Sequence, residues 1–203
     1  QKGMWPQMNK VVFVANTWIS NCSVWINLGF EPVFIDASLP NLCASIDDVG
    51  GALGEGVGTV FYTSLLGYSE DVSALMDLCK RRNVKFLMDN CESSFTWQRG
   101  KSICNYVTCS TSAYFSHHSS SGTEMGVIFC QNREESDWYR MNRNHGMTRG
   151  MPEHYRNHAV DSRFDFRHMG SNYRTSNLQS YMAMLNFPRC EEFSEQRVAI
   201  SQE

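Results

Sequence analysis

Residues 59–89 read TVFYTSLLGYSEDVSALMDLCKRRNVKFLMD, and the order of periodicities within them decides the fold. Val60-Phe61-Tyr62 is a short, β-rich apolar run, the composition of a strand buried on both faces. Ser69 then stands as a helix cap, with Glu70 and Asp71 in the first turn, where carboxylates meet the positive end of the helix dipole. Val72, Leu75, Met76 and Cys79 recur on one helical face, and Lys80, Arg81 and Arg82 suit the opposite pole. Val84 to Met88 returns to strand. Strand, helix and strand joined this closely form a β-α-β crossover, which demands a parallel sheet with helices on its faces. The stretch predicts an α/β protein.

Outward from it the same alternation continues. Val11 to Val14 reads as a buried strand that feeds a loop at Asn16 and Thr17. Ile19 to Leu28 follows as a helix closed by Gly29, and Pro32 to Asp36 as the next strand. Val127 to Cys130 is a further strand. Two helices are expected near the end, Asn177 to Leu185 and Arg189 to Ile200, separated by Pro188. The glycines from Gly50 to Gly58 precede a strand and lack G-x-G-x-x-G spacing, so they give no dinucleotide loop.

The chain has 203 residues, 42% hydrophobic and 19% charged, enough for one good core and at most a small second domain. A net charge of -3 offers no electrostatic reason to expect a nucleic-acid partner. No apolar run approaches the roughly 20 residues that span a bilayer, and Lys10 precedes only the strand-length run Val11 to Ala15 rather than a signal peptide. A cytoplasmic protein with no membrane partner is expected. Eight cysteines are scattered without any Cys-x-x-Cys, which reads as buried free thiols in a reducing compartment and argues against structural zinc. The sequon Asn21-Cys22-Ser23 then carries no glycan.

Three clusters hold chemistry. Asp89 emerges from an apolar strand, where a carboxylate is costly unless a cation or a turn meets it. Ser110 to Glu124 is dense in hydroxyls and glycine and contains His117-His118, a composition that suits an anion. Adjacent histidines diverge in direction and have no matching carboxylate-histidine pair nearby, so no metal is expected there. Asn144-His145-Gly146-Met147-Thr148-Arg149 and Gly170-Ser171-Asn172-Tyr173-Arg174 suit recognition of phosphate or sugar oxygens, or equally a solvated loop.

Taken in order, these segments resemble the DegT/DnrJ/EryC1/StrS family of sugar aminotransferases and dehydratases, from Val11 to about Ile200. The carrying residues are Asn16-Thr17-Trp18, Leu28 to Asp36, Ser64 to Gly67, Asp89 to Glu92, Ser112 to His118, Asn144 to Gly146 and Gly170 to Arg174. The resemblance implies a three-layer α/β/α large domain of PLP fold type I with a mostly parallel sheet. Residues 1–186 would form this cofactor-binding domain, lacking its N-terminal part. Residues 187–203 would begin the helix toward a small domain that is largely missing. It also implies pyridoxal 5'-phosphate or pyridoxamine 5'-phosphate as cofactor. Trp18 matches the aromatic that stacks on the ring, and Asp89 the carboxylate that keeps the pyridine nitrogen protonated. Glu92 falls beside the ring, where the family has glutamine or histidine. Ser112 matches a serine on the cofactor phosphate. Asn172 matches an asparagine that reaches the phosphate in the neighbouring subunit, which implies a homodimer with shared sites.

Five residues after that serine the aminotransferases carry the lysine that bonds the cofactor. This chain has His117 there by count, or His118 with a one-residue shift of the loop. The substitution marks the 3-dehydratase branch, which acts on nucleotide-linked 4-keto-6-deoxy sugars with a non-covalent cofactor and glutamate as amino donor. Histidine, with an ordinary pKa of about 6.5, suits removal of a cofactor methylene proton near neutral pH. Loss of the C3 hydroxyl and release of ammonia would follow. A subtype with a cysteine-held iron-sulfur cluster is not expected, since no cysteine lies between Gln131 and Arg189. The family's glycine pair appears here as Glu124-Met125-Gly126. An aminotransferase and a truncated, non-catalytic binding homologue are the alternatives.

Overall fold

The computed structural model describes residues 8–39, 41–107, 109–113 (as backbone) and 124–202. The first strand, β1 (Lys10–Val14), leads through a short loop into helix α1 (Ile19–Asn27), which ends at Gly29 with a φ of 87°. Only glycine takes that turn without strain. β2 (Glu31–Ile35), α2 (Ile46–Ala52), β3 (Val57–Thr63), α3 (Val72–Arg81) and β4 (Lys85–Asp89) follow. A small hairpin of β5 (Trp97–Gln98) and β6 (Lys101–Ser102) precedes β7 (Cys109–Ala113) and β8 (Gly126–Cys130). Two longer helices follow, α4 (Arg133–Asn142) and α5 (Asn177–Ser201), with short 3-10 turns at Ile103–Asn105 and Glu153–Tyr155.

The main sheet runs β2-β1-β3-β4-β7-β8, parallel throughout except for β8, which pairs antiparallel with β7. Strand periodicity sends alternate residues to opposite faces. Val12, Val14, Val60, Tyr62, Phe86 and Met88 meet Val49 of α2 and Val72, Leu75 and Cys79 of α3. Val11, Phe13, Phe61 and Leu87 meet Cys22 and Trp25 of α1 and Tyr139 of α4 on the other face. Both faces are covered, giving three layers, and each fully buried aliphatic side chain contributes about 1.5–3 kcal/mol. Burial pushes the Cys79 thiol up to about 12, and none of the seven cysteines whose side chains are described forms a disulfide. No helix among the described residues is long and apolar enough to cross a membrane.

Several expectations need correction. The α3 cap is Asp71, whose carboxylate accepts from Ala74 N at 3.1 Å, and not Ser69. Gln98 of the hairpin is the reason: it accepts from Val72 N and donates to the Glu70 carbonyl, holding 69–71 extended up to the cap. The two final helices are one, with Pro188 inside it. Proline's φ is helical, and the Met184 carbonyl that loses a donor belongs to a residue 71% exposed, where water can replace it. Ser110 to Ala113, the start of the hydroxyl-rich cluster, are strand residues of β7 rather than loop. Helix α2 adds to the elements expected from the sequence, and Ser45 and Asp48 form a reciprocal capping box at its start.

Between α4 and α5 the chain makes an excursion closed by backbone bonds. His145 N donates to Ser171 O, Gly170 N to His145 O, Ser171 N to Asn142 O and Tyr173 N to Arg143 O. A β-carbon on Gly146, at φ 81°, would lie 1.8 Å from His168 O, and one on Gly170 would lie 2.4 Å from Gly146 N. The two glycine-bearing clusters of the third group are therefore one clasp. Inside its loop the buried Asp165 accepts from Thr148 Oγ1 at 2.6 Å and from Asn157 N at 2.8 Å, and these bonds hold its carboxyl below the usual range.

Candidate active site

The order of the sheet reverses at β1, whose neighbours β2 and β3 lie on opposite sides. In open α/β sheets such a reversal splits the connections to the two faces and leaves a crevice at the carboxyl ends of the strands. A cleft of about 1140 Å³ opens there, lined by Asn16, Thr17 and Trp18 after β1, Thr63 of β3, Asp89 of β4 and Tyr139 of α4, among others. It exceeds the roughly 300–1000 Å³ of an ordinary small-molecule pocket.

Asp89 is the last residue of β4 and is 7% exposed. Its Oδ2 accepts from Asn21 Nδ2 at 2.7 Å and its Oδ1 from Cys91 N at 3.0 Å. Asn21 also donates to Thr17 Oγ1 at 3.0 Å, and the Thr17 hydroxyl lies 2.6 Å from that of Thr63. A polar chain thus ties α1, the β1-α1 loop, β3 and β4 together beneath the cleft. Sequence reasoning missed Asn21, which stood out only as a sequon. Its place one turn after Thr17 on α1 was the available signal. Replacing Asn21 with alanine is expected to cost about 1–2 kcal/mol by leaving a carboxylate oxygen unpaired, measurable as a lower midpoint in urea unfolding.

Trp18 is the N-cap residue of α1, 72% exposed and on the cleft wall. Glu92 also lines the cleft, but its Oε2 accepts from Leu66 N at 3.2 Å, so it also braces the Ser64 to Gly67 loop. Ser112 lies in β7, its backbone opposite Val127, a cleft residue. His117 and His118 lie outside the described residues. The chain leaves β7 at Ala113 and re-enters at Gly126, its pairing partner and another cleft residue. Asn172 is not among the cleft-lining residues; it bridges Asn144 and its Oδ1 accepts from Arg174 Nε at 3.0 Å. The structure therefore brings together Trp18, Asp89 and Glu92 and keeps Asn172 apart. No lysine among the described residues lines the cleft, and Lys85 is occupied at the far end of β4 by Glu135, 2.8 Å away.

The comparisons agree with this architecture. The chain is 27% identical over 154 residues to GDP-4-keto-6-deoxy-D-mannose 3-dehydratase of Yersinia pseudotuberculosis, covering 75% of this chain and 39% of that protein. It is 23% identical to the lipopolysaccharide biosynthesis protein RfbH of Salmonella typhimurium, covering 94% of this chain and 47% of that one. The chain thus spans less than half the length of these two curated relatives. Among solved structures, the E. coli GDP-4-keto-6-deoxy-D-mannose-3-dehydratase with bound hydrated PLP superposes with a TM-score of 0.88 at 19% identity, over 97% of this chain and 52% of that one. This likeness identifies the fold as that of PLP fold type I enzymes. The family model described as the DegT/DnrJ/EryC1/StrS aminotransferase family matches residues 4–203, and the chain belongs to that family.

Proposed function

We propose that the chain carries the cofactor-binding part of a 3-dehydratase that removes the C3 hydroxyl of a nucleotide-linked 4-keto-6-deoxy sugar. In this reading pyridoxal or pyridoxamine 5'-phosphate is held without a covalent bond. The observation that supports the cofactor site is Asp89, a nearly buried carboxylate fixed by Asn21 and Cys91 N at the floor of the cleft, and the histidines at 117 and 118 favour the dehydratase within the family. Each of its oxygens accepts one bond in the described structure and has a second lone pair free, so a protonated ring nitrogen fits. The exposed Trp18 ring on the adjacent wall fits a planar partner.

When bound, the cofactor supplies a protonated pyridine ring that draws electron density from the reacting carbon. Asp89 holds that nitrogen's proton, and Asn21 fixes the carboxylate's orientation. Trp18 would cover the ring, and by the resemblance Ser112 would take its phosphate. His117, or His118 with a one-residue shift, would serve as the base that holds and moves a proton beside the bound cofactor. Histidine rather than lysine at 117 and 118 supports elimination over amine transfer in this reading. Glutamate would be the amino donor in this reading. The protein works as a cytoplasmic homodimer; Asn172, off the cleft wall of its own chain, suits contact with the neighbouring subunit's cofactor.

A putative L-glutamine:3-amino-2,3-dideoxy-scyllo-inosose aminotransferase of Micromonospora echinospora is also similar, at 22% identity over 96% of this chain, and favours the aminotransferase as second reading. Incubating the chain with cofactor, glutamate and a GDP-linked 4-keto-6-deoxy sugar separates the two. Ammonia with a 3-deoxy sugar supports the dehydratase, and an amino sugar supports the aminotransferase. His117→Asn and His118→Asn are each to be assayed: one is expected to lose about 10²–10⁴-fold in rate, the usual range for a general base. If both retain full dehydration, the assigned base is wrong.

A further inference from the structure

We infer that Arg140 and Arg143 form an anion-binding pair on the cleft wall that takes the diphosphate of a nucleotide-linked substrate, an assignment that rests on the function proposed above. Among the described residues, the charged ones lining the cleft are Asp89, Glu92, Arg140 and Arg143. The two acids are committed at the β3-β4 side, Asp89 to Asn21 and Cys91 N, and Glu92 to Leu66 N. On the opposite side, Arg140 lies in the last turn of α4 and Arg143 is its C-cap residue, three positions on, a spacing that brings helical side chains to one face.

Their donors are largely unspent. Arg140 Nη1 lies 3.6 Å from Asp137 Oδ1, but that oxygen already takes Arg133 Nε at 2.9 Å, and the Arg140 side chain is 45% exposed. Among the described residues the Arg143 guanidinium has no hydrogen bond or ion pair. Its backbone is nevertheless fixed, because Arg143 O accepts from Tyr173 N at 2.9 Å. The clasp thus sets Arg143 beside Tyr173, an exposed aromatic that also lines the cleft. Two planar forks with donors to spare match the several oxygens of a diphosphate better than the single carboxylate that one arginine would satisfy. The cleft volume leaves room for such a group beyond the space of one ordinary ligand.

The test titrates the 203-residue chain, with pyridoxal phosphate and without it, against inorganic pyrophosphate, GDP, UDP and glutamate by calorimetry. Arg140→Gln and Arg143→Gln are each expected to weaken pyrophosphate and nucleoside diphosphate binding about 10-fold, as the loss of one charge-assisted contact implies. The double variant should lose about 100-fold, and Arg143→Lys should recover only part, since lysine keeps the charge without the fork. Glutamate binding and the cofactor absorption band should not change. Diphosphate affinity within twofold of the parent in the double variant overturns the inference, as does a parent that binds no diphosphate. Loss of glutamate affinity with diphosphate affinity retained reassigns the pair to a dicarboxylate and also overturns it. If the parent takes up no cofactor, the proposed function fails, and the cofactor-free titration still decides the arginine pair.

Discussion

Replacing Asp89 with asparagine is expected to cut turnover about 10²–10³-fold, the scale of losing one preorganised electrostatic group at a reacting centre. The substitution keeps shape and removes charge. In the proposed function, losing the carboxylate would leave no described group on the cleft floor to hold a proton on the ring nitrogen of a bound cofactor, and the ring would draw fewer electrons from the reacting carbon. The fold should survive, because an asparagine there can still accept one of the two bonds now made by Asn21 and Cys91 N. The second would face its own amide group, at a cost of about 1–3 kcal/mol. Steady-state kinetics with a thermal melt as control checks this. A variant that melts a few degrees lower but keeps more than a tenth of parental turnover would mean that Asp89 is only a turn residue.

Gly146→Ala carries the largest expected effect on stability. The added methyl would sit 1.8 Å from the His168 carbonyl oxygen, which is backbone and cannot swing aside, and φ is 81°. Overpacking of this kind costs about 1–3 kcal/mol, and the left-handed conformation adds about 1 kcal/mol. The sum corresponds to a fall in Tm on the order of 10 °C for a chain of this size. Because the clasp anchors Arg143 and Tyr173 on the cleft wall, substrate binding should weaken with it. Calorimetric melting checks the first part, and a Tm within 2 °C of the parent, roughly one mutational unit of about 0.5 kcal/mol, would show that the clasp opens freely.

Residues 59–89 were legible because burial and period coincide in them: β3 is buried along its length, and α3 buries Val72, Leu75 and Cys79 on one face. What failed to show was tertiary. Ser69 has the right chemistry for a cap, yet Gln98, 29 positions away, decides where α3 starts. Cys109–Ala113 is rich in hydroxyls, and only pairing with β4 and β8 makes it a strand. Pro188 reads as a break, but an exposed helix tolerates the missing donor. At the site, Asp89 and Trp18 were readable from the resemblance, and Gly146 and Gly170 from composition as parts of loops. Their close approach to one another, and the hold of Asn21 on Asp89, exist only once distant segments pack.

The central claim is that the cleft above Asp89 holds the cofactor without a covalent bond. Pyridoxal phosphate is to be titrated into the purified chain while absorbance is followed, then borohydride added and the denatured protein weighed by mass spectrometry. A saturable band that weakens in Asp89→Asn, with no cofactor mass left on the protein after borohydride, is the predicted result. No saturable band, or cofactor fixed to a lysine, would contradict it.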